Sequence, residues 1–280
     1  MTPLLARVPP ELSAADFRAI ADLLQARTGI ALSEGKRSLV LARLARRLRK
    51  LGLPDFAAYA ALLGSEAGAT ECREMVSALT TNVTAFFREA HHFDTLRRRV
   101  LPPLIARARA GGRLRLWSAG CASGEEPYSI AMELLDLCPE AAGLDIRILA
   151  SDVDPAILAR ARDGIYRAEA LTGLSAARRR RWFRPLGDGT ARAAPGLAAP
   201  IRFRELNLAG QWPLRGPFDA IFCRNVTIYL DRPAQDRIWQ GFAGLLAPAG
   251  HLFIGHSERL TGPAAERFTS VGITTYRRRA

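Results

Sequence analysis

The stretch LRLWSAGCASGEEPYSI, Leu114 to Ile130, decides how the rest of the chain is read. Leu114, Leu116 and Trp117 supply an apolar strand, a glycine-containing turn follows, and a helix opens at Pro127. Gly120 and Gly124 permit backbone conformations and close approaches that a Cβ would block. Pro suits a first helical turn, where its missing N–H would have no partner anyway. A strand–glycine–helix unit near the start of an α/β region is the usual seat of a nucleotide-like cofactor. Here the spacing is Gly120-x-x-x-Gly124, not G-x-G-x-x-G, and Glu125 and Glu126 stand where a pyrophosphate would need donors. Carboxylates repel phosphate and attract cations. The stretch therefore points to a cofactor with an ammonium, a sulfonium and a ribose but no phosphate, which describes S-adenosylmethionine. The plainer alternative is an ordinary turn whose acidic residues favour the helix dipole.

Composition bounds the rest. At 280 residues and 49% hydrophobic content, the chain can bury a sizeable core, which excludes a disordered protein. No apolar run approaches the ~20 residues of a membrane span, so no membrane insertion is expected. The opening MTPLLARVPPEL lacks the charged and apolar regions of a signal peptide. Cys72, Cys121, Cys138 and Cys223 are scattered, with no C-x-x-C pair. A cytoplasmic protein with reduced thiols and no zinc site is expected. His91 and His92 are adjacent, while His251 and His256 lie far along the chain, and no metal is expected. The net charge of +13 calls for an acidic partner, although the Arg excess partly reflects an Ala-rich, Lys-poor composition.

Residues 10–90 read as all-helical. Ser13 and Asp16 make a capping-box-like start, Phe17, Ile20 and Leu24 recur at helical spacing, and Gly29 offers a stop. Ser33 is expected to cap a second helix with Leu41, Leu44, Leu48 and Leu51 on one face. Lys36, Arg43, Arg47 and Lys50 form another face, with Arg46 and Arg49 beside it and no acidic relief in sequence. That stripe is either a solvated helix face or a docking surface for an acidic helix or phosphate. Asp55 caps a third helix carrying Phe56, Tyr59 and Leu63, and a fourth spans Glu71 to Leu79.

Beyond residue 100 strands alternate with helices, which indicates a mostly parallel sheet covered on both faces. Strands are expected at Leu114–Ala119, Ile146–Ala150, Ile201–Leu208, Phe218–Phe222 and His251–Ile254, with one or two more in Phe268–Tyr276. Helices are expected at Pro127–Leu137, Pro155–Asp163 and Pro233–Leu246. Residues 170–200 hold Arg178–Arg181, Trp182 and Phe183, and read as an inserted subdomain with a small antiparallel sheet. The expected division is a helical domain with its linker over 1–90 and an α/β domain over 91–280.

In open α/β sheets ligands bind beyond the carboxyl ends of the strands. After the first strand come Gly120 and the Glu125/Glu126 pair, between which spacing does not choose. After the second come Asp152 and Asp154. Asp154 precedes Pro155 and serves the helix as its cap, which leaves Asp152 free for a ribose diol. Asn207 and Leu208 follow the third strand and suit a flat base, and Arg224, Asn225 and Tyr229 follow the fourth. Any one of these could be a mere cap or surface group. All four strand ends being so equipped argues for a site.

TTNVTAFFREAHHF (Thr80–Phe93), WSAGCASGEEPYSIAM (Trp117–Met132), ASDVD (Ala150–Asp154) and FCRNVTIY (Phe222–Tyr229) together resemble the CheR-type chemotaxis receptor methyltransferases. The resemblance covers nearly the whole chain. It implies a class I S-adenosylmethionine-dependent methyltransferase sheet of Rossmann-like type, with a small antiparallel β insertion and an all-α N-terminal domain. It implies methyl transfer to glutamate side chains of membrane chemoreceptors, in sensory adaptation. Carried onto matching positions, the family's cofactor residues become Asn82, Thr84, Arg88, Glu126, Asp152, Asn207, Leu208, Arg224 and Asn225. Arg88 and Tyr229 match positions associated with the reaction centre. The expected partners are cytoplasmic receptor helices, met by the basic helix Lys36–Lys50 and by the 170–200 insertion. The chain is expected to act as a monomer and not on nucleic acid.

Two rivals stand beside this reading. A nucleic-acid methyltransferase would suit the charge, but Arg224-Asn225-Val226-Thr227 stands where amino-methylating enzymes carry an N-P-P-[YF]-type sequence. A non-catalytic binding module is opposed by intact Arg88, Asp152, Asn225 and Tyr229.

Overall fold

The computed structural model describes residues 11–279, so most of the stretch read for a signal peptide lies outside the described residues. The chain divides between Thr81 and Asn82 into two compact units. Residues 82–90, assigned above to the helical domain as its linker, are part of the second unit.

The first unit is helical: α1 (Ala14–Thr28), α2 (Arg37–Leu51), α3 (Phe56–Gly64) and α4 (Ala69–Leu79). The local signals explain its ends. The Asp16 amide donates to Ser13 Oγ at 3.0 Å, and Gly29 closes α1 in the left-handed region at φ 77°. The Ala58 amide donates to Asp55 Oδ1 at 2.8 Å. Ser33 makes no side-chain cap, because a 3₁₀ turn over Glu34–Lys36 precedes α2. The inward face of α2 is Val40, Leu44 and Leu48, an i, i+4, i+8 row, so Leu41 is only half-buried and Leu51 is exposed.

The basic stripe of α2 is not without acidic relief, contrary to expectation. Arg47 forks onto Glu71 of α4 at 2.9 and 2.5 Å and reaches Glu74 at 2.6 Å. Tyr59 Oη donates to the same Glu71 at 2.8 Å. Arg43 donates to the Leu79 and Thr80 carbonyls at 2.9 and 3.0 Å, where α4 runs out of intrahelical donors. Lys36, Arg46, Arg49 and Lys50 remain exposed. The two arginines cross to a helix that local sequence patterns do not connect to α2.

The second unit carries α5 (Ala90–Thr95), α6 (Leu101–Arg109), β1 (Leu114–Ala119), α7 (Glu125–Leu137), β2 (Ile146–Asp152), α8 (Pro155–Asp163), β3 (Ile165–Arg167), α9 (Ala176–Trp182), β4 (Phe183–Pro185), β5 (Thr190–Ala193), α10 (Pro195–Ala198), β6 (Ile201–Glu205), β7 (Phe218–Cys223), α11 (Arg232–Leu245), β8 (Leu246–Ile254), β9 (Phe268–Gly272) and β10 (Thr275–Arg278). The main sheet runs β6-β2-β1-β7-β8-β10-β9. Its first five strands pair in parallel, and β10 is antiparallel to both β8 and β9. This is the class I methyltransferase sheet. Strand order reverses at β1, so the crevice at the switch point opens between the carboxyl ends of β1 and β7. Leu114, Leu116, Trp117, Ile146, Ile148, Ala220 and Phe222 are fully buried, as strands covered on both faces require.

A second sheet, β3-β5-β4, is antiparallel and forms the insertion. It begins at Ile165, earlier than expected, because the Ala193 amide returns to the Gly164 carbonyl and recruits the residues just after α8. Trp182 and Phe183 are buried in it. β6 ends at Glu205, not Leu208. There the Leu206 amide closes the ladder on the Asp152 carbonyl, and Asn207 Oδ1 takes the Ala209 amide in a turn. Among the described residues no helix is long and apolar enough to cross a membrane.

Burial alone would raise the Glu71 carboxyl, but its bonds from Arg47 and Tyr59 outweigh that and hold it below the usual range. Its stabilising contribution is therefore present above the unfolded value of about 4.3 and is lost as pH falls through the lower folded value. Arg47→Leu should cost about 3 kcal/mol in urea unfolding at pH 7, because it strands a buried carboxylate. The variant should also lose less stability than the parent between neutral and acid pH. Equal stability at pH 7 would show the pair to be idle.

Candidate functional site

The turn after β1 is shaped by its two glycines. Gly120 has φ +82°, and a Cβ there would lie 2.3 Å from Val226 Cγ2, so the turn and the loop after β7 close on each other only without a side chain. Gly124 has φ +99°, and its Cβ would lie 2.9 Å from the Tyr166 hydroxyl. The Gly120 and Cys121 amides both donate to the Ser151 carbonyl at 2.8 and 2.9 Å. The turn is thereby laced to the end of β2.

α7 starts two residues earlier than expected, so Glu125 and Glu126 lie inside its first turn, and both are buried. The structure separates them. Glu125 accepts from Ser123 Oγ at 2.6 Å, within the turn. Glu126 points to the crevice, accepting from Ser118 Oγ at 2.6 Å and from Arg224 Nη1 at 3.0 Å. Burial raises the Glu126 carboxyl above its ordinary range, against the pull of Arg224 and Ser118.

Arg224 is the most committed residue of the site. Besides Glu126, its guanidinium donates to the Arg88 carbonyl and lies 3.5 Å from Glu89 Oε2. Arg88 itself is half-buried and donates to the Val83 carbonyl at 2.9 Å. It sits between two left-handed residues, Phe87 at φ 54° and Glu89 at φ 56°, which is strained backbone for side chains of this size. Packing holds the strain in place. Phe86 stands edge-on to Tyr166 and Phe183 at 5.0 and 5.6 Å, and the Arg178 guanidinium lies 4.6 Å over the Phe87 ring. The Phe87 amide donates to Ser129 Oγ at 3.0 Å.

Asp154 caps α8 as expected, accepting the Ala156 amide at 2.9 Å and the Ile157 amide at 3.3 Å. It also accepts from Asn82 Nδ2 at 3.2 Å, which ties the segment before Arg88 to the β2 end. Asp152 is not free, contrary to expectation: it takes the Ala122 amide at 2.9 Å and the Asp154 amide at 3.1 Å. Each Asp152 oxygen thus spends one lone pair and keeps another. Burial raises this carboxyl, against those amide bonds.

Five of the expected residues fall into two clusters of contacts at the strand ends. Arg88, Glu126 and Arg224 form one, and Asn82, Asp154 and Asp152, which takes the Ala122 amide, form the other. Asn207 follows the Leu206–Asp152 contact. Asn225, left-handed at φ 58°, follows Arg224 directly. Thr84 is half-buried nearby in sequence, and Tyr229, 39% exposed, sits in a 3₁₀ turn over Thr227–Tyr229. Leu208 is buried and borders a groove of about 450 Å³ lined also by Trp212, Arg237 and Leu245, which shares no other expected residue.

Two features escaped the sequence reading. Glu258, in a GHSE turn after β8, reaches the loop after β7 from the end of the neighbouring strand. A Gly-containing polar turn at a strand's carboxyl end was the available signal. Glu89, His91 and His92 also gather, with candidate ligand atoms within 4.8 Å of one another, although the histidines alone suggested no cluster. Arg224 already faces Glu89 there, His92 Nδ1 lies 3.4 Å from the same carboxylate oxygen, and burial lowers His92 to about 3.

The rim suits a cationic, phosphate-free nucleoside. Glu126 and Asp152 retain lone pairs for ammonium and ribose donors, and acidic residues occupy the helix N-terminus that a phosphate would need. A scan of family models matches residues 82–277 to the S-adenosylmethionine-binding domain of CheR methyltransferases and 15–80 to their all-alpha domain. The chain belongs to the CheR methyltransferase family. It is similar to a probable chemotaxis protein methyltransferase of Rhizobium etli, 53% identical over 89% of this chain and 94% of that one. A chemotaxis protein methyltransferase of Escherichia coli is 47% identical over 95% of this chain and 91% of its own. The second unit is thus a methyltransferase domain with an S-adenosylmethionine site, as the CheR resemblance implied.

Gly120→Ala should weaken S-adenosylmethionine binding by about tenfold or more in calorimetry, since left-handed backbone alone costs a non-glycine residue ~1–2 kcal/mol. Unchanged affinity would show that closure of the turn on Val226 is irrelevant to the cofactor. Affinity should also fall on acidification above the range of an ordinary glutamate, as raised Glu126 and Asp152 take up protons and lose their charge.

Proposed function

We propose that the chain methylates glutamate side chains on the cytoplasmic helices of membrane chemoreceptors, producing glutamate methyl esters. The observation that carries this reading is the rim itself, in which the buried carboxylates Glu126 and Asp152 stand at adjoining strand ends and Arg224 ties Glu126 to the segment of the half-buried Arg88. The names of the relatives as chemotaxis protein methyltransferases support it.

When bound, S-adenosylmethionine supplies an activated methyl, which passes from sulfur to a carboxylate oxygen and leaves S-adenosylhomocysteine. A glutamate is ionised at neutral pH, so the chain needs no general base. Its task is alignment and exclusion of water. Glu126 receives the cofactor's ammonium, Asp152 its ribose hydroxyls, and Asn207 and Leu208 its base, with Asn82, Thr84 and Asn225 completing the pocket. Arg224 acts from behind, by holding Glu126 and the Arg88 carbonyl. A tight ion pair to the attacking oxygen would quench it. Arg88 therefore steers the acceptor or holds the cofactor's carboxylate, and Tyr229 orients the acceptor by hydrogen bonding.

The receptor partner is acidic, and the exposed cations of α2 fit it. Arg43 and Arg47 are engaged inside the helical unit, so Lys36, Arg46, Arg49 and Lys50 make the proposed contact. The inserted sheet β3-β5-β4 is the second proposed contact.

Transfer of labelled methyl to receptor-containing membranes, followed by peptide mapping, tests the reading; label in nucleic acid or none on glutamate contradicts it. At saturating cofactor, Arg88→Ala and Tyr229→Phe should each lower turnover by about tenfold or more. The double variant Arg46→Ala/Arg49→Ala should weaken receptor methylation most at low salt, with cofactor affinity intact. Equal loss of both would contradict a docking role.

A further inference from the structure

We infer that Glu258 is the positioning residue for methyl transfer: it sets the backbone that presents Asn225 and Tyr229 at the crevice. The inference rests on the reading that these two residues face cofactor and acceptor. Glu258 is buried, 4% exposed. Its Oε1 accepts the Val226 amide at 2.9 Å, the Thr227 amide at 2.7 Å and the Thr227 hydroxyl at 2.8 Å. Its Oε2 accepts the Asn225 amide at 2.9 Å and the Gly255 amide at 2.6 Å.

Consecutive amides from Asn225 to Thr227 thus converge on one carboxylate, the arrangement of an anion-binding nest. Such amides diverge in an extended strand; here they converge because Asn225 is left-handed. The anion that fills the nest comes from the chain, so it is permanent. The loop then runs from Arg224, anchored on Glu126, through Val226, packed over Gly120, to the 3₁₀ turn of Tyr229. With both ends held, Glu258 determines the middle. Gly255 serves the same end, since a Cβ there would lie 2.7 Å from both the Asn225 amide and Asn225 Nδ2.

Only a carboxylate satisfies this geometry. A glutamine would turn an N–H₂ donor onto one pair of amide donors and break the convergence, with almost no change in volume. The expected result is a displaced loop in a folded protein, and misplacement on the scale of 1 Å costs catalysis on the order of 10²-fold.

The test compares Glu258→Gln and Gly255→Ala with Asn225→Ala and Tyr229→Phe in the full chain. It records melting temperature, kcat, and KM for S-adenosylmethionine and for receptor membranes. Glu258→Gln should raise KM for S-adenosylmethionine and lower kcat, with kcat/KM down about 10²-fold. Gly255→Ala, which leaves the carboxylate in place, should show the same split. If Glu258→Gln fails to fold, Gly255→Ala decides. A merely structural role would reduce the active fraction and the melting temperature while both KM values stay at the parent's, and that result overturns the inference. Silent Asn225→Ala and Tyr229→Phe variants would instead remove the site reading beneath it.

Discussion

The Arg224 guanidinium is the interaction on which the rest of the site depends. Its side chain is 3% exposed, and it joins Glu126 of the first turn of α7 to the Arg88 carbonyl of the segment before α5. A buried ion pair is weak evidence of stability, because desolvation offsets the Coulombic gain. Its value here is geometric. A planar fork with fixed donors can bridge two segments in only one relative placement, which a lysine could not enforce. Those segments carry Glu126 and Arg88, so one buried cation places the acidic and basic sides of the crevice together.

That placement decides what the crevice can hold. Arg224 neutralises one carboxylate, while Glu125, Glu126 and Asp152 crowd the ends of two adjacent strands. Burial raises all three carboxyls, which is the signature of negative charge kept where water cannot screen it. A phosphate would add to that cost and a sulfonium or ammonium relieves it. The inserted sheet contributes as a wall as well as an appendage. Tyr166 of β3 donates to the Ser123 carbonyl at 2.8 Å in the cofactor turn and packs on Phe86 next to the strained bend at Arg88.

Local patterns carried much of this. Asp154 before Pro155 is a cap followed by a proline, both within one turn, and it folds as read. The parallel strands were legible because burial on both faces makes their apolar runs continuous. Contacts between distant residues were not legible. Arg47 meets Glu71 across 24 residues, Glu258 meets Asn225 across 33, and Arg224 meets Glu126 across 98. No periodicity encodes such pairs, so the basic stripe looked unrelieved, Asp152 looked free and Glu258 passed unnoticed. β6 stops short of Leu208 because its ladder on β2 is exhausted: the Leu206 amide makes the closing bond to the Asp152 carbonyl, where β2 itself ends.

The most direct measurement is a crystal structure of the chain with S-adenosylhomocysteine. The account requires the ammonium within hydrogen-bond distance of Glu126, the ribose hydroxyls on Asp152, and Arg224 still paired with Glu126. A nucleoside seated in the groove of Trp212, Arg237 and Leu245 with Glu126 and Asp152 untouched, or a ligand that draws Arg224 away from Glu126, would contradict it.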